Sequence, residues 1–329
     1  MTSFYTQSIT ANQLPHRLNY ITRAIRFFIS LLPSMGFFRS TPAKPQGISI
    51  YMRVKNERDW IAASISSISG IADEIVVVDN GSTDGTYEIL QDMAQKEAGH
   101  LKLWQMPDLQ FCDLSNFALQ QTKFRWVFRF DGDMIAHTDG PHAIHTLRSR
   151  ILALNPKRYY LIYLRHINLS GDFYHQITDE MVHIEEYIHT FSPSARFIQH
   201  DRFEAVKYPL YYKPLFWYEP YVFHVNIKSA HRLLLRFFWE GWLKNKDYDT
   251  YPTIEDYVAA HIEKEFDTND MEEAKRRFLT KELQNHIPFD EHRFGPYPAM
   301  LKPLMSQVPY RLQYRDGHIC GRTEREEQA

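Results

Sequence analysis

Residues 73–79, DEIVVVD, place four β-branched apolar residues in succession, Ile75 to Val78. A strand with no polar face is at home only where both faces of a sheet are covered, which means a largely parallel sheet with helices above and below. The run ends at Asp79 and passes into NGSTDG (80–85), whose residues turn tightly or cap a helix. TYEILQDMAQKEAG (86–99) then reads as a helix stopped near Gly99. The same unit begins at Gly47. GISIYMRV (47–54) is a strand, and NERDWIAASISSISG (56–70) is a helix with Asn56 as N-cap and Trp60, Ile61, Ile65 and Ile68 on one face. LKLWQM (101–106) and RWVFRF (125–130) are further strands, separated by the helix DLSNFALQQTK (113–123); YYLIYLRHI (159–167) is another.

Alternation of this kind predicts an α/β fold, a Rossmann-like, mostly parallel sheet flanked by helices. In such sheets ligands bind where the strands end. RVKN, Asp79 and the DGD of residues 131–133 all fall at strand ends, on one rim. Past residue 228, three stretches (229–246, 253–266 and 269–286) read as helices. The chain divides into an N-terminal amphipathic segment and linker (1–45), an α/β core (46–230) and a helical C-terminal extension (231–329) whose tail GRTEREEQA is expected to lack fixed structure.

With 38 basic against 40 acidic residues, the net charge of −2 excludes a general nucleic-acid binder, so an anionic ligand must meet a local site. Two cysteines, Cys112 and Cys320, are too few for a disulfide framework and fit a reducing, cytoplasmic setting. No run approaches the roughly 20 apolar residues of a membrane span. The nearest, RFFISLLPSMGFF (26–38), is broken by Pro33 and Gly36. With Arg17, Arg23 and Arg26 it forms an amphipathic segment that lies in a membrane interface, at the inner face, or packs on the domain or a partner.

Two acids flanking Gly132 repel unless water or a cation lies between them. Asp133, with Asp131 directly or through water or ribose, can hold a hard divalent ion against a diphosphate. Asp79 can accept hydrogen bonds from a nucleobase or ribose, although its turn is also ordinary strand-to-helix chemistry.

The stretch ISIYMRVKNERDWIAASISSISGIADEIVVVDNGSTDGT, followed by DLSNFALQQTKFRWVFRFDGD, resembles the family-2 glycosyltransferases of GT-A fold over residues 47–140. The resemblance implies a nucleoside-diphosphate-sugar donor, most often a UDP-sugar, and a Mn²⁺ or Mg²⁺ cofactor. By position it assigns Val54, Asn56, Asp79, Asn116 and Asp131 to the donor, and Asp133, His224 and Asp131 to the metal. Ser115 stands where the family has Arg, so the missing charge must come from Arg53, Lys55 or Arg129. An inverting transfer needs a carboxylate base. Glu204, 224 − 204 = 20 residues before His224, fits the family spacing, with Asp201, Glu180, Glu185 and Glu186 as alternatives. YPLYYKPLFWYEPY (208–221) is either a sugar platform or aromatic packing under an irregular loop, and HRLLLRFFWEGWLK (231–244) either touches anionic lipid or packs. The expected activity is glycosyl transfer to a surface-glycan or lipid-linked acceptor. The rivals are a catalytically inactive nucleotide-sugar or glycan-binding module and a nucleotidyltransferase, although RVKNERD lacks the glycines of a phosphate loop.

Overall fold

A computed structural model describes residues 20–38, 43–97, 99–107, 109–177, 182–200, 203–245 and 250–324. Helix α1 (Tyr20–Ile29) precedes the core. The core then alternates through β1 (Ile48–Val54), α2 (Ile61–Ile68), β2 (Glu74–Asp79), α3 (Thr86–Lys96), β3 (Leu101–Gln105), α4 (Phe111–Gln121) and β4 (Trp126–Arg129). A short β5 (Met134–Ala136) and α5 (Ile144–Leu152) lead to a second series of strands: β6 (Tyr159–Ser170), β7 (His175–Ile177), β8 (Val182–Thr190), β9 (Arg196–His200), β10 (Phe203–Lys207) and β11 (Tyr212–Asn226). The remainder comprises α6 (Ala230–Asn245), α7 (Ile254–Phe266), α8 (Met271–Leu283), β12 (His286–Pro288), α9 (Glu291–Phe294), α10 (Leu301–Gln307), β13 (Arg311–Arg315) and β14 (His318–Thr323).

The 8-stranded sheet has the order β3-β2-β1-β4-β8-β6-β11-β5. Strands β1 to β4 are mutually parallel, β6 is parallel to β11, and only β8 and β5 run against their neighbours. The carboxyl ends of β1, β2, β4, β6 and β11 therefore share one rim. Every residue of β2 is buried, as its apolar run requires. Among the described residues no helix is long and apolar enough to cross a membrane.

Several expectations are corrected. Helix α2 starts at Ile61 after Trp60, not at Asn56. Asn56 takes a left-handed φ of 59° and turns its carboxamide to the next loop. The aromatic stretch at 208–221 is mostly strand, not loop: Tyr212 onward belongs to β11, whose bulges near Pro220 absorb the proline. The acids at 185 and 186, alternatives for the base, lie on β8. The C-terminal region also contains the β13–β14 hairpin, and the tail begins inside β14. There the buried Arg322 donates to the carbonyls of Gly171 (2.7 Å) and Lys228 (2.6 Å). Packing also crosses residue 230, since Phe294, Leu301, Val308 and Tyr310 share a core with Ile135, Ile167, Phe173 and Phe223.

Burial pushes three histidines down: His137 to about 4, His189 to about 3 and His286 to about 4. In the unfolded chain each titrates near ~6.5. The unfolded state therefore binds more protons below that pH, and stability falls as pH drops from about 6.5 toward 4. His224, whose pKa is raised, offsets part of this. The urea midpoint should fall steadily from pH 7.5 to 5, above the range in which ordinary carboxylates titrate, and His189→Gln should flatten the slope. A midpoint that does not move across this window would contradict the burial argument.

Candidate active site

Three chain segments meet at the carboxyl rim. The first follows β1. Val54 pairs with Asp79, and the amide of Asn80 donates to the Val54 carbonyl (2.9 Å), so the two strand ends are locked side by side. Asn56 stitches the two turns together. Its amide donates to Ser82 Oγ (2.9 Å), and its Oδ1 accepts from the Thr83 amide (2.8 Å). Asp79 is fully buried inside its own turn. Its Oδ1 accepts from the amides of Gly81 (3.0 Å) and Ser82 (2.9 Å), and its Oδ2 from Ser82 Oγ (2.5 Å).

The second segment is the turn between β4 and β5. Gly132 is tight against the first segment: a Cβ there would meet Glu57 Cγ and Val54 Cγ1 at 3.0 Å. The third segment is the end of β11, where His224 pairs with Met134 and the Val225 amide donates to the Asp133 carbonyl (2.8 Å). Asp133 and His224, 91 residues apart in sequence (224 − 133), thereby come together with Nε2 3.2 Å from Oδ1. The second oxygen of Asp133 is 2.8 Å from the ammonium of Lys228, which also sits 2.5 Å from Glu57. Arg232 completes the cluster through Glu57 Oε1 (2.6 Å) and through the carbonyls of Asn56 and Lys55.

The charges are strongly coupled. Burial pushes the Glu57 carboxyl above its usual range, and Lys228 pulls against this without cancelling it. Burial would do the same to Asp133, but His224 and Lys228 outweigh it and hold its carboxyl well below the ordinary value. For His224, burial lowers the pKa and the charge of Asp133 raises it, and the balance lies above the usual imidazole value.

The remaining candidates lie on β1, α4, β4, β8 and β10. Ser115 accepts from Arg53 Nη1 (2.8 Å), so a guanidinium reaches this point of α4 from β1. Arg129 instead pairs with Glu185 (2.8 Å) and lies over the Tyr187 ring. Asn116 clasps β9, donating to the Phe197 carbonyl (3.0 Å) and accepting from its amide (2.8 Å). Glu204 lies on β10 opposite Gln199, with its side chain outside the described residues. Asp201 and Glu180 lie outside them altogether, and the side chain of Glu186 does too.

Residues 49–143 match the family model for glycosyl transferase family 2. This segment is similar to the family-2 glycosyltransferases. An uncharacterized glycosyltransferase of Rickettsia typhi is 36% identical over 86 residues, 26% of this chain and 27% of that protein. The lipopolysaccharide core biosynthesis glycosyltransferase LpsC of Rhizobium meliloti is 33% identical over 87 residues, 26% of this chain and 31% of that protein. The chain thus spans about a third or less of the length of these relatives. The crystal structure of S. aureus TarS 1–349 aligns over 72% of each chain with 14% identity and a TM-score of 0.39.

The family match ends at residue 143, yet the rim of the same sheet is completed by His224, Lys228 and Arg232 from beyond it. Sequence reasoning missed Glu57, Lys228 and Arg232. Glu57 stands within the KNE stretch, and Lys228 is four residues after His224, but neither position reveals that the two side chains meet. Carboxylate oxygen beside imidazole nitrogen suits a hard or borderline divalent ion. Two neighbouring ligands of one small octahedral ion lie about 3 Å apart, close to the separation of Asp133 Oδ1 and His224 Nε2. Among the described residues no group of three or more His, Cys, Asp or Glu side chains forms a metal cluster. A held ion would thus need further oxygens from substrate or water.

Removing one member of a buried ion pair strands its partner, at a cost of about 3–5 kcal/mol. Lys228→Met should destabilise the fold by that order. Adding Glu57→Gln should restore a large part of it, because the stranded carboxylate is then gone. A double variant as unstable as the sum of the single ones, measured by urea unfolding, would show that the two groups are not coupled.

Proposed function

We propose that this chain is a glycosyltransferase that moves a sugar from a nucleoside-diphosphate donor to an acceptor hydroxyl, with inversion at the anomeric carbon. The observation that carries the reading is the meeting of Asp133 and His224 at 3.2 Å on the rim of a sheet whose β1–β4 half matches the family-2 model. A Mn²⁺ or Mg²⁺ ion held by Asp133 and His224, with Asp131 in the same turn, would neutralise charge developing on the departing diphosphate.

The chain's own residues carry the remaining steps. The nucleoside, uridine in the first instance, lies along Val54, Asn56 and the turn that Asp79 holds. Arg53, delivered at Ser115, supplies the cation for the diphosphate that the resemblance places there. Lys228 keeps Asp133 ionised and fixes which of its oxygens faces His224. Glu204 on the β9–β10 hairpin, with Asp201 as the alternative, takes the proton of the attacking hydroxyl. The acceptor class follows LpsC, whose name places it in lipopolysaccharide core biosynthesis. On this reading the substrate is an envelope glycan or its lipid-linked precursor, reached from the inner face of a membrane.

Release of nucleoside diphosphate from a panel of donor sugars tests the reading directly. Asp133→Asn should lower turnover by about 10²-fold or more while the melting transition remains cooperative; near-normal turnover would remove Asp133 from the site. Glu204→Gln should retain donor affinity and lose about 10²-fold or more in transfer. Normal transfer in that variant, with loss in Asp201→Asn, would move the base to Asp201. Donor binding with no turnover on any acceptor would make the chain a binding module.

A further inference from the structure

The opposite, amino-terminal rim of the sheet carries a surface that the transfer reading does not use. Helix α1 and the turn after it pack there on the starts of β6 and β11. Ile29 lies against the cluster of Tyr159, Leu161, Tyr211 and Tyr212, Phe38 stacks on Tyr211 with ring centroids 4.9 Å apart, and Arg158 donates to Ser34 Oγ (3.4 Å). The outward side of this segment is apolar: Phe27, Phe28, Met35 and Phe37 are 53–72% exposed. Leu210, 59% exposed, continues the patch onto the loop before β11. No acidic residue occurs between positions 20 and 38, while Arg23 and Arg26 do.

Beside the patch lies a pocket of about 300 Å³ lined by Pro193, Ser194, Arg196, Lys207, Tyr208 and Pro209. Arg196 and Lys207 are direct cross-strand partners in the β9–β10 hairpin, both exposed, and among the described residues no acid lines the pocket. Like charges facing each other across a strand pair are destabilising, and an anion seated between them removes that cost. Tyr208 packs against the same aromatic cluster as Ile29, and exposed Leu210 directly follows Pro209 of the pocket lining, so pocket and patch are neighbours.

We propose that this face docks on an anionic lipid bilayer, with the aromatic patch inserted in the interface and a lipid phosphate between Arg196 and Lys207. Exposed aromatic and aliphatic side chains beside cations, without intervening acids, are what such a surface demands. A second copy of the chain fits less well, because it would bring another set of cations to the same face. The inference stands independently of the transferase reading.

Flotation of the full chain with vesicles tests this without any turnover measurement. The chain should float with vesicles of phosphatidylcholine mixed with phosphatidylglycerol, and not with phosphatidylcholine alone. Arg196→Gln with Lys207→Gln should weaken anionic binding on the order of twentyfold, about fivefold per charge removed. Phe28→Ser with Phe37→Ser should abolish it even at low salt. All these side chains are exposed, so the melting temperature should not change. Equal binding to neutral vesicles, or wild-type binding by either double variant, would overturn the proposal. So would a dimer in solution that the Phe28→Ser, Phe37→Ser change dissociates.

Discussion

The ammonium of Lys228 lies between two buried carboxylates, 2.5 Å from Glu57 and 2.8 Å from Asp133. Both acids are less than a tenth exposed, and Asp131 stands two residues from Asp133. Without a cation among them, their repulsion and desolvation would force this part of the rim open to water or keep the carboxyls protonated. Lys228 therefore does more than balance charge. It ties the turn after β4 to the loop after β1, and it leaves one oxygen of Asp133 directed at His224. The Cβ-free Gly132 lets the turn approach Glu57 closely enough for that bridge to form.

Lys228 is itself held from the far end of the chain. Arg322 on β14 donates to its carbonyl (2.6 Å), and Glu324 accepts from the Ala230 amide (2.8 Å) at the start of α6. Arg232, in the first turn of α6, grips the carbonyls of Lys55 and Asn56. The C-terminal region thus reaches the rim through main-chain contacts as well as charged side chains. This is why the sharing of a core between Phe223 and residues such as Leu301 and Tyr310 matters for the site. The end of β11, which positions His224, is packed by the segment that follows it.

The two rims have opposite characters for a simple geometric reason. At the carboxyl ends of parallel strands, loops lead into helices, and the turns gather polar side chains and backbone amides. At the amino ends of β6 and β11, aromatic side chains such as Tyr159, Tyr211 and Tyr212 stack and leave an apolar shelf. On that shelf α1 rests, with Phe27 and Phe28 turned outward.

Much of the β1–β4 half was legible in the sequence because its determinants are local. The run Ile75–Val78 demanded a covered strand, the turns after Val54 and Asp79 were spelled out by their residues, and the family motifs extend through the same stretch. The second half was harder. The strand at 212–226 carries prolines and aromatics that read as a loop, and its pairing with β6 and β5 is a long-range event no local pattern encodes. By itself the sequence determined the α/β class, the rim on which Asp79, Asp131 and Asp133 fall, and the apolar yet basic character of the N-terminal segment. Only the tertiary structure decided that Lys228 would sit between Glu57 and Asp133, that Arg53 would reach Ser115, and that the tail would fasten α6. Those contacts join residues 62 to 171 positions apart, and chain folding rather than local preference brings such groups within Coulombic reach.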